Sequence, residues 1–131
     1  MTNAITTAEM DCLAKAIYHE ARGEPKKGQV AVAEVILNRT KNEYFPNNVC
    51  KVIYQRNQFE FVSKGLPNPN KNSEQYKEIK QVAVQTVENH RKGRAVFDKN
   101  VLFFSTQGFR NNKLSHHCNI GGHKFYKLIR W

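Results

Sequence analysis

The chain is poor in acids: eleven Asp and Glu stand against twenty-one Lys and Arg, a net charge of +10 over 131 residues. That balance excludes a cationic partner held by charge. It predicts attraction to an extended polyanion, whether nucleic acid, an anionic membrane surface or an acidic cell-wall polymer. Cysteine is scarce as well. Cys12, Cys50 and Cys118 form an odd, widely spaced set, which excludes the dense framework of a disulfide-stapled mini-protein and makes reduced, mostly buried thiols the expectation. No long apolar run is present, so no membrane-spanning helix is expected. The opening "MTNAITTAEMDC" has no basic segment followed by an apolar one. No secretory signal is therefore expected, and synthesis and folding in the cytoplasm are. Internal repeats, linkers and low-complexity tracts are also lacking. The length suits one domain with a single core, expected as a monomer.

What is present is helical periodicity. Thr6 followed by Glu9 fits a capping box, and Met10, Leu13, Ala14, Ile17 and Ala21 recur at helical spacing up to Gly23, which predicts a first helix over residues 7–22. Pro25 can open the next segment. From Gln29 to Asn38 the chain has almost no polar face apart from Glu34, and its length and alanines predict a central buried helix. "YFPNNVCKVIYQ" reads as a turn and a short helix, and "GLPNPNKN" as a loop. Asn72 or Ser73 can cap a third long helix over 73–92, with Tyr76, Ile79, Val82, Ala83 and Val87 facing inward. "AVFDKNVLFFSTQGF" is aromatic and β-prone, and "RNNKLSHHCNIGGH" reads as a polar loop. The fold class is mainly α with a small aromatic β-prone segment, an α+β single domain.

One acid is oddly placed. Glu20 lies seven residues after Leu13 and three after Ile17, so a helix sets it on or beside the apolar stripe. It also falls in the last turn, where the helix dipole disfavours negative charge. Both effects raise a carboxyl pKa toward the protonated state that a general acid needs. The same position also suits a structural ion pair with Arg22, Arg39 or a lysine. Glu24, beyond Gly23 and before Pro25, is open to three roles: a second catalytic group, a substrate ligand, or an acid paired with Lys26 or Arg22. A two-carboxylate glycosidase needs its partners about 5 to 9 Å apart.

The blocks "AIYHEARGEPKKGQVAVAEVILNR", "FPNNVCKVIYQRNQFEFV", "VLFF" and "IGGHKFY" resemble, in order and spacing, the SleB/CwlJ-type cell-wall hydrolases, across roughly residues 10–127. The resemblance implies a lysozyme-like, mainly helical fold. It also implies cleavage of the β-1,4 bond between N-acetylmuramic acid and N-acetylglucosamine in peptidoglycan, as a lytic transglycosylase or muramidase. On that model one glutamate serves as acid and then base, and Glu20 matches its place at the end of the first core helix. The implied substrate is the glycan strand; the positive charge adds anionic wall polymers as expected partners, and no nucleic acid, metal or cofactor is expected. After the "QF" pair the family commonly carries a small polar residue or cysteine, where this chain has Glu60, so the chemistry of that rim differs.

A glycan cleft needs aromatic faces and amides, and Gln58, Phe59, Phe103, Phe104 and Tyr126 are the candidates, with His123 from the last block; each phenylalanine also suits the core. Glu20 is expected to face the main cleft. "HHC" followed by His123 is loosely compatible with zinc, without a standard ligand pattern. Two other function classes stay open: a zinc amidase or peptidase acting on peptide stems, and a small basic nucleic-acid-binding domain. A phage lysin released by a holin or by lysis is the expected setting, because Met1 opens what reads as a complete domain.

Overall fold

The computed structural model describes residues 5–56 and 58–130. Helix α1, Thr7–Ala21, begins as its capping box dictates: the Thr6 hydroxyl accepts the Glu9 N–H at 3.1 Å, and the Glu9 carboxylate reaches back to the Thr6 N–H at 3.4 Å. The second Glu9 oxygen accepts the Val49 N–H at 3.0 Å. One acid therefore caps α1 and ties it to the start of α3, Val49–Ile53.

Helix α2, Lys26–Thr40, follows Pro25, and every residue from Ala31 to Arg39 is buried. That is why its sequence shows so little amphipathic pattern. It is the central rod against which α1, α3, the long α5 (Glu74–Arg91, capped by Ser73) and β1 pack. Leu13 and Ile17 of α1, Val32, Val35 and Ile36 of α2, Ile79 of α5 and Phe125 form the centre of the core. Burying each such side chain contributes about 1.5–3 kcal/mol. Helix α4 is the single turn Glu60–Ser63.

Polar side chains at the end of α2 fasten the rod to the sheet. The Asn38 amide donates to the carbonyls of Asp98 and Val101 at 3.0 and 3.1 Å, and Arg39 Nε donates to the Leu102 carbonyl at 2.8 Å. Buried Glu34 accepts the backbone N–H groups of Val96 and Phe97, both at 2.8 Å. Strands β1 (Val101–Ser105), β2 (Leu114–Ile120) and β3 (His123–Leu128) form an antiparallel sheet in the order β1-β3-β2.

Two expectations are corrected. Residues 114–120, read as polar loop, form β2: its side chains are mostly exposed or half-buried, so the pattern lacks an apolar face, and pairing with β3 makes the strand. Cys12 and Cys50, expected as reduced thiols, form a disulfide joining α1 to α3, and Cys118 is the free, half-buried cysteine. Sequence spacing says nothing of the packing that brings their α-carbons to 5.4 Å, well within bridging distance.

Candidate active site

Glu20 is the penultimate residue of α1 and is half-buried. Its carboxyl is pushed above the ordinary range, first by burial and then by the negative charge of Glu60. Among the described residues no cation forms an ion pair with it. Arg22 lies over the Tyr18 ring at 4.7 Å, and Arg39 is bonded elsewhere, so neither fills the structural role open to it on sequence grounds. Next to Glu20, the His19 ring stacks on Phe61 at 4.7 Å, and its Nε2 lies 3.0 Å from the Pro67 carbonyl, which can only accept. These contacts bring α4 and the following loop against the end of α1. Burial lowers the His19 pKa, which keeps the ring neutral near pH 7.

Glu24 faces another way. Its Oε1 accepts the Gly122 N–H at 2.9 Å, so the carboxylate is seated on the tight β2–β3 turn. A Cβ on Gly121, where φ is +57°, would lie 2.9 Å from Glu24 Cδ and closer still to Oε1; one on Gly122 would come to 3.1 Å of Oε2. The two glycines thus leave the space that the carboxylate fills. Glu24 also borders a polar surface cavity of about 600 Å³, together with Arg22, Lys26, Gln29 and an α5 face that includes Gln81 and Gln85. Glu20 does not line that cavity. The charge that bears on it is Glu60, in α4.

The aromatic candidates divide. Phe59 is buried against Phe61 and Phe104, while Phe104 packs on Phe125 at 5.8 Å and meets the His123 ring edge-on at 5.3 Å. Phe103, its neighbour on β1, projects to the opposite face, beside Phe45, Phe109 and the Arg39 guanidinium. His123 is buried, and its Nδ1 makes no hydrogen bond among the described residues. Tyr126 is buried too, its hydroxyl accepting the Phe109 N–H at 3.2 Å. Of these candidates Gln58 is the exposed one, with its Oε1 taking a hydrogen bond from Arg39 Nη1 at 3.1 Å.

The zinc candidates do not converge. His116 bonds to Asn119, His117 meets Phe97 edge-on and His123 is buried beside Phe104. Among the described residues no three His, Cys, Asp or Glu side chains are grouped to hold a metal ion, and no helix is long and apolar enough to cross a membrane. Sequence reasoning overlooked one participant, Glu60, as the charge that bears on Glu20. The signal was there, an acid directly after the motif-matched "QF" pair.

A helical domain built on one buried central helix, with a half-buried glutamate closing the first helix and a small sheet at its side, has the α+β lysozyme-like architecture. A family model described as cell wall hydrolase matches residues 23–126, and the chain belongs to that family. The match begins three residues after Glu20, so it includes Glu24 and leaves Glu20 to be judged on geometry. The catalytic domain of the germination-specific lytic transglycosylase SleB from Bacillus anthracis shares the fold, with a TM-score of 0.72 and 30% identity over 97% of this chain and 100% of that one. The catalytic domain of the Bacillus cereus SleB protein gives 0.73 and 30%, covering 97% and 95%. The spore cortex-lytic enzyme of Bacillus subtilis strain 168 is 46% identical over 65 residues, which are 50% of this chain and 21% of that enzyme. The chain therefore matches about a fifth of that curated relative's length.

Proposed function

We propose that the chain cleaves the β-1,4 glycosidic bond between N-acetylmuramic acid and N-acetylglucosamine in peptidoglycan, with Glu20 as general acid and then base. The observation that carries this reading is a half-buried carboxyl at the end of α1, with its pKa raised and no ion pair to it among the described residues, in a chain of the cell wall hydrolase family. A carboxyl whose pKa is raised holds its proton to higher pH and can give it to the leaving glycosidic oxygen. The carboxylate left behind then takes a proton from the group that attacks the anomeric carbon. That group is the muramic acid 6-hydroxyl, giving a 1,6-anhydro end, or water, giving a reducing end.

Glu24 holds the β2–β3 turn rather than the substrate. The basic surface draws the enzyme to wall carboxylates and phosphates. The Cys12–Cys50 disulfide supports action in an oxidising place outside the cytoplasm where the chain is made, and release by a holin or by lysis, as for a phage lysin, is the route we favour.

Glu20→Gln is the test. It keeps shape and removes the proton donor, so wall-lysis turnover should fall by roughly 10² to 10⁴ while the melting temperature stays level or rises. Mass spectrometry of the released muropeptides identifies the bond and the product. A Glu20→Gln protein that retains most of its activity would overturn the assignment.

A further inference from the structure

Arg39 is an expensive residue in its place. It is 4% exposed, and burial brings its pKa down to about 10, so it is still charged at neutral pH. Among the described residues no carboxylate pairs with it. An unpaired buried charge costs free energy that an aliphatic side chain of similar volume would not. The guanidinium is held on all sides. Its Nε donates to the Leu102 carbonyl at 2.8 Å, and the rings of Phe45, Phe59 and Phe103 lie 5.2, 5.8 and 5.3 Å from its carbon. One partner faces solvent: Gln58, whose amide receives Arg39 Nη1 at 3.1 Å.

A guanidinium has donors only, so the atom that Gln58 turns toward it must be the amide oxygen. The amide nitrogen, with its two N–H groups, is then left for the exposed side. We propose that Arg39 is a positioning residue that fixes the Gln58 amide with its N–H groups outward, so that Gln58 selects the acetamido carbonyl of an N-acetylated sugar and rejects the ammonium of a de-N-acetylated one. This rests on the glycan-cleaving reading above. Gln58 leads into the segment that reaches the neighbourhood of Glu20: Phe61 stacks on His19, next to Glu20, and Glu60 is the charge felt by Glu20.

The selectivity follows from hydrogen-bond inventory. A sugar hydroxyl both donates and accepts, so it would suit either end of a glutamine. An acetamido oxygen only accepts, and an ammonium only donates. A fixed donor with a cation behind it therefore pairs with the first and is left facing a donor, and a like charge, with the second.

The experiment measures initial rates on two preparations of one peptidoglycan, fully N-acetylated and partly de-N-acetylated, for the unaltered enzyme, Gln58→Leu and Gln58→Glu. The unaltered enzyme should favour the acetylated wall by about tenfold or more, the worth of one hydrogen bond to a group that would otherwise be buried unpaired. Gln58→Leu should bring that ratio close to one. Gln58→Glu offers acceptors in place of donors, and it should lower or reverse the ratio while its melting temperature holds or rises through the new pairing with Arg39. Gln58→Leu leaves Arg39 Nη1 without its acceptor, so melting temperatures are read beside the rates, whereas Gln58→Glu keeps an acceptor; Arg39→Lys, which keeps the charge without the planar fork, should lower the ratio too. If the unaltered enzyme cleaves both walls and its ratio is one, or the Gln58 variants keep its ratio, the proposal is overturned and the glycosidic reading stands. If it releases no glycan fragments from either wall, that reading fails and takes the proposal with it.

Discussion

The role given to Glu24 can be tested through the two glycines it is seated against. Glu24→Ala removes the acceptor of the Gly122 N–H. The bond is charge-assisted but exposed, and water can replace it in part, so the loss should be about 1 kcal/mol, below the usual range for bonds to charged groups. Gly121→Ala forces a Cβ into the left-handed region, at about 1–2 kcal/mol. It also drives that Cβ into the Glu24 carboxylate, which must leave its seat, and this forfeits the same bond, about 1 kcal/mol more. Once Glu24 is alanine the collision is gone. The double variant should then lose about 2–3 kcal/mol, where simple addition of the two single losses gives about 3–4, a coupling of about 1 kcal/mol. Urea unfolding of the four proteins supplies the energies, and wall-lysis rates on the same samples show whether activity follows folding. Glu24→Gln keeps an acceptor oxygen and should resemble the unaltered protein in both assays. Strict additivity, with a fully folded Glu24→Gln protein that has lost a hundredfold or more in turnover, would refute the clamp and make Glu24 a chemical participant.

The remaining predictions concern charge and covalent closure. A general acid works while protonated, so activity should be lost as pH rises through the raised pKa of Glu20. Glu60→Gln removes the like charge that is the second cause of that rise, and should move the alkaline limb of the pH–rate profile to lower pH; an unmoved limb would mean that Glu60 does not act on Glu20. Reducing Cys12–Cys50, whose partners are 38 residues apart, should cost about 4 kcal/mol by the chain-entropy account, lowering the thermal midpoint by on the order of 10 °C. An unchanged melt with both thiols shown free by mass would mean the link adds nothing. Wall lysis should weaken as salt rises, because exposed charges are screened over about 8 Å at physiological ionic strength, and salt-independent lysis would separate the basic surface from substrate capture.

The helices were legible because their signals are local. The capping box at Thr6 and Glu9, the spacing of Leu13 and Ile17, and the serine before α5 each act within one or two turns. Strand β2 was not legible, since its exposed, His-rich face carries no alternation, and its existence depends on β3 lying beside it. The disulfide was hidden for the same reason: it records the packing of α1 on α3. At the site, the position of Glu20 could be read from periodicity, and the lack of an ion pair to it among the described residues could not. Phe103 and Phe104 illustrate the limit from the other direction. Adjacent residues on a strand point to opposite faces, so a pair read together as cleft aromatics is split, one toward Arg39 and the other toward Phe125.

How α1 ends shows the same limit at the residue that matters most. Gly23 reads as the terminator, yet it has no positive φ, and a Cβ placed on it would meet nothing within 4 Å. Neither conformation nor space demands glycine there. Residues farther along the chain set the end instead. The last turn of a helix leaves carbonyls without partners, and here the Gln29 amide, from α2, donates to the Ala21 carbonyl at 3.2 Å and the Glu24 carbonyl at 3.4 Å. Pro25 fixes the approach of the chain, and Glu24 pins the same corner to the β2–β3 turn. The corner is thus held from α2 and from the sheet at once, and Glu20 sits one residue before its first anchored carbonyl. A proton donor must keep its place within fractions of an ångström, and in this chain that constancy comes from groups on two other elements rather than from the helix that carries it.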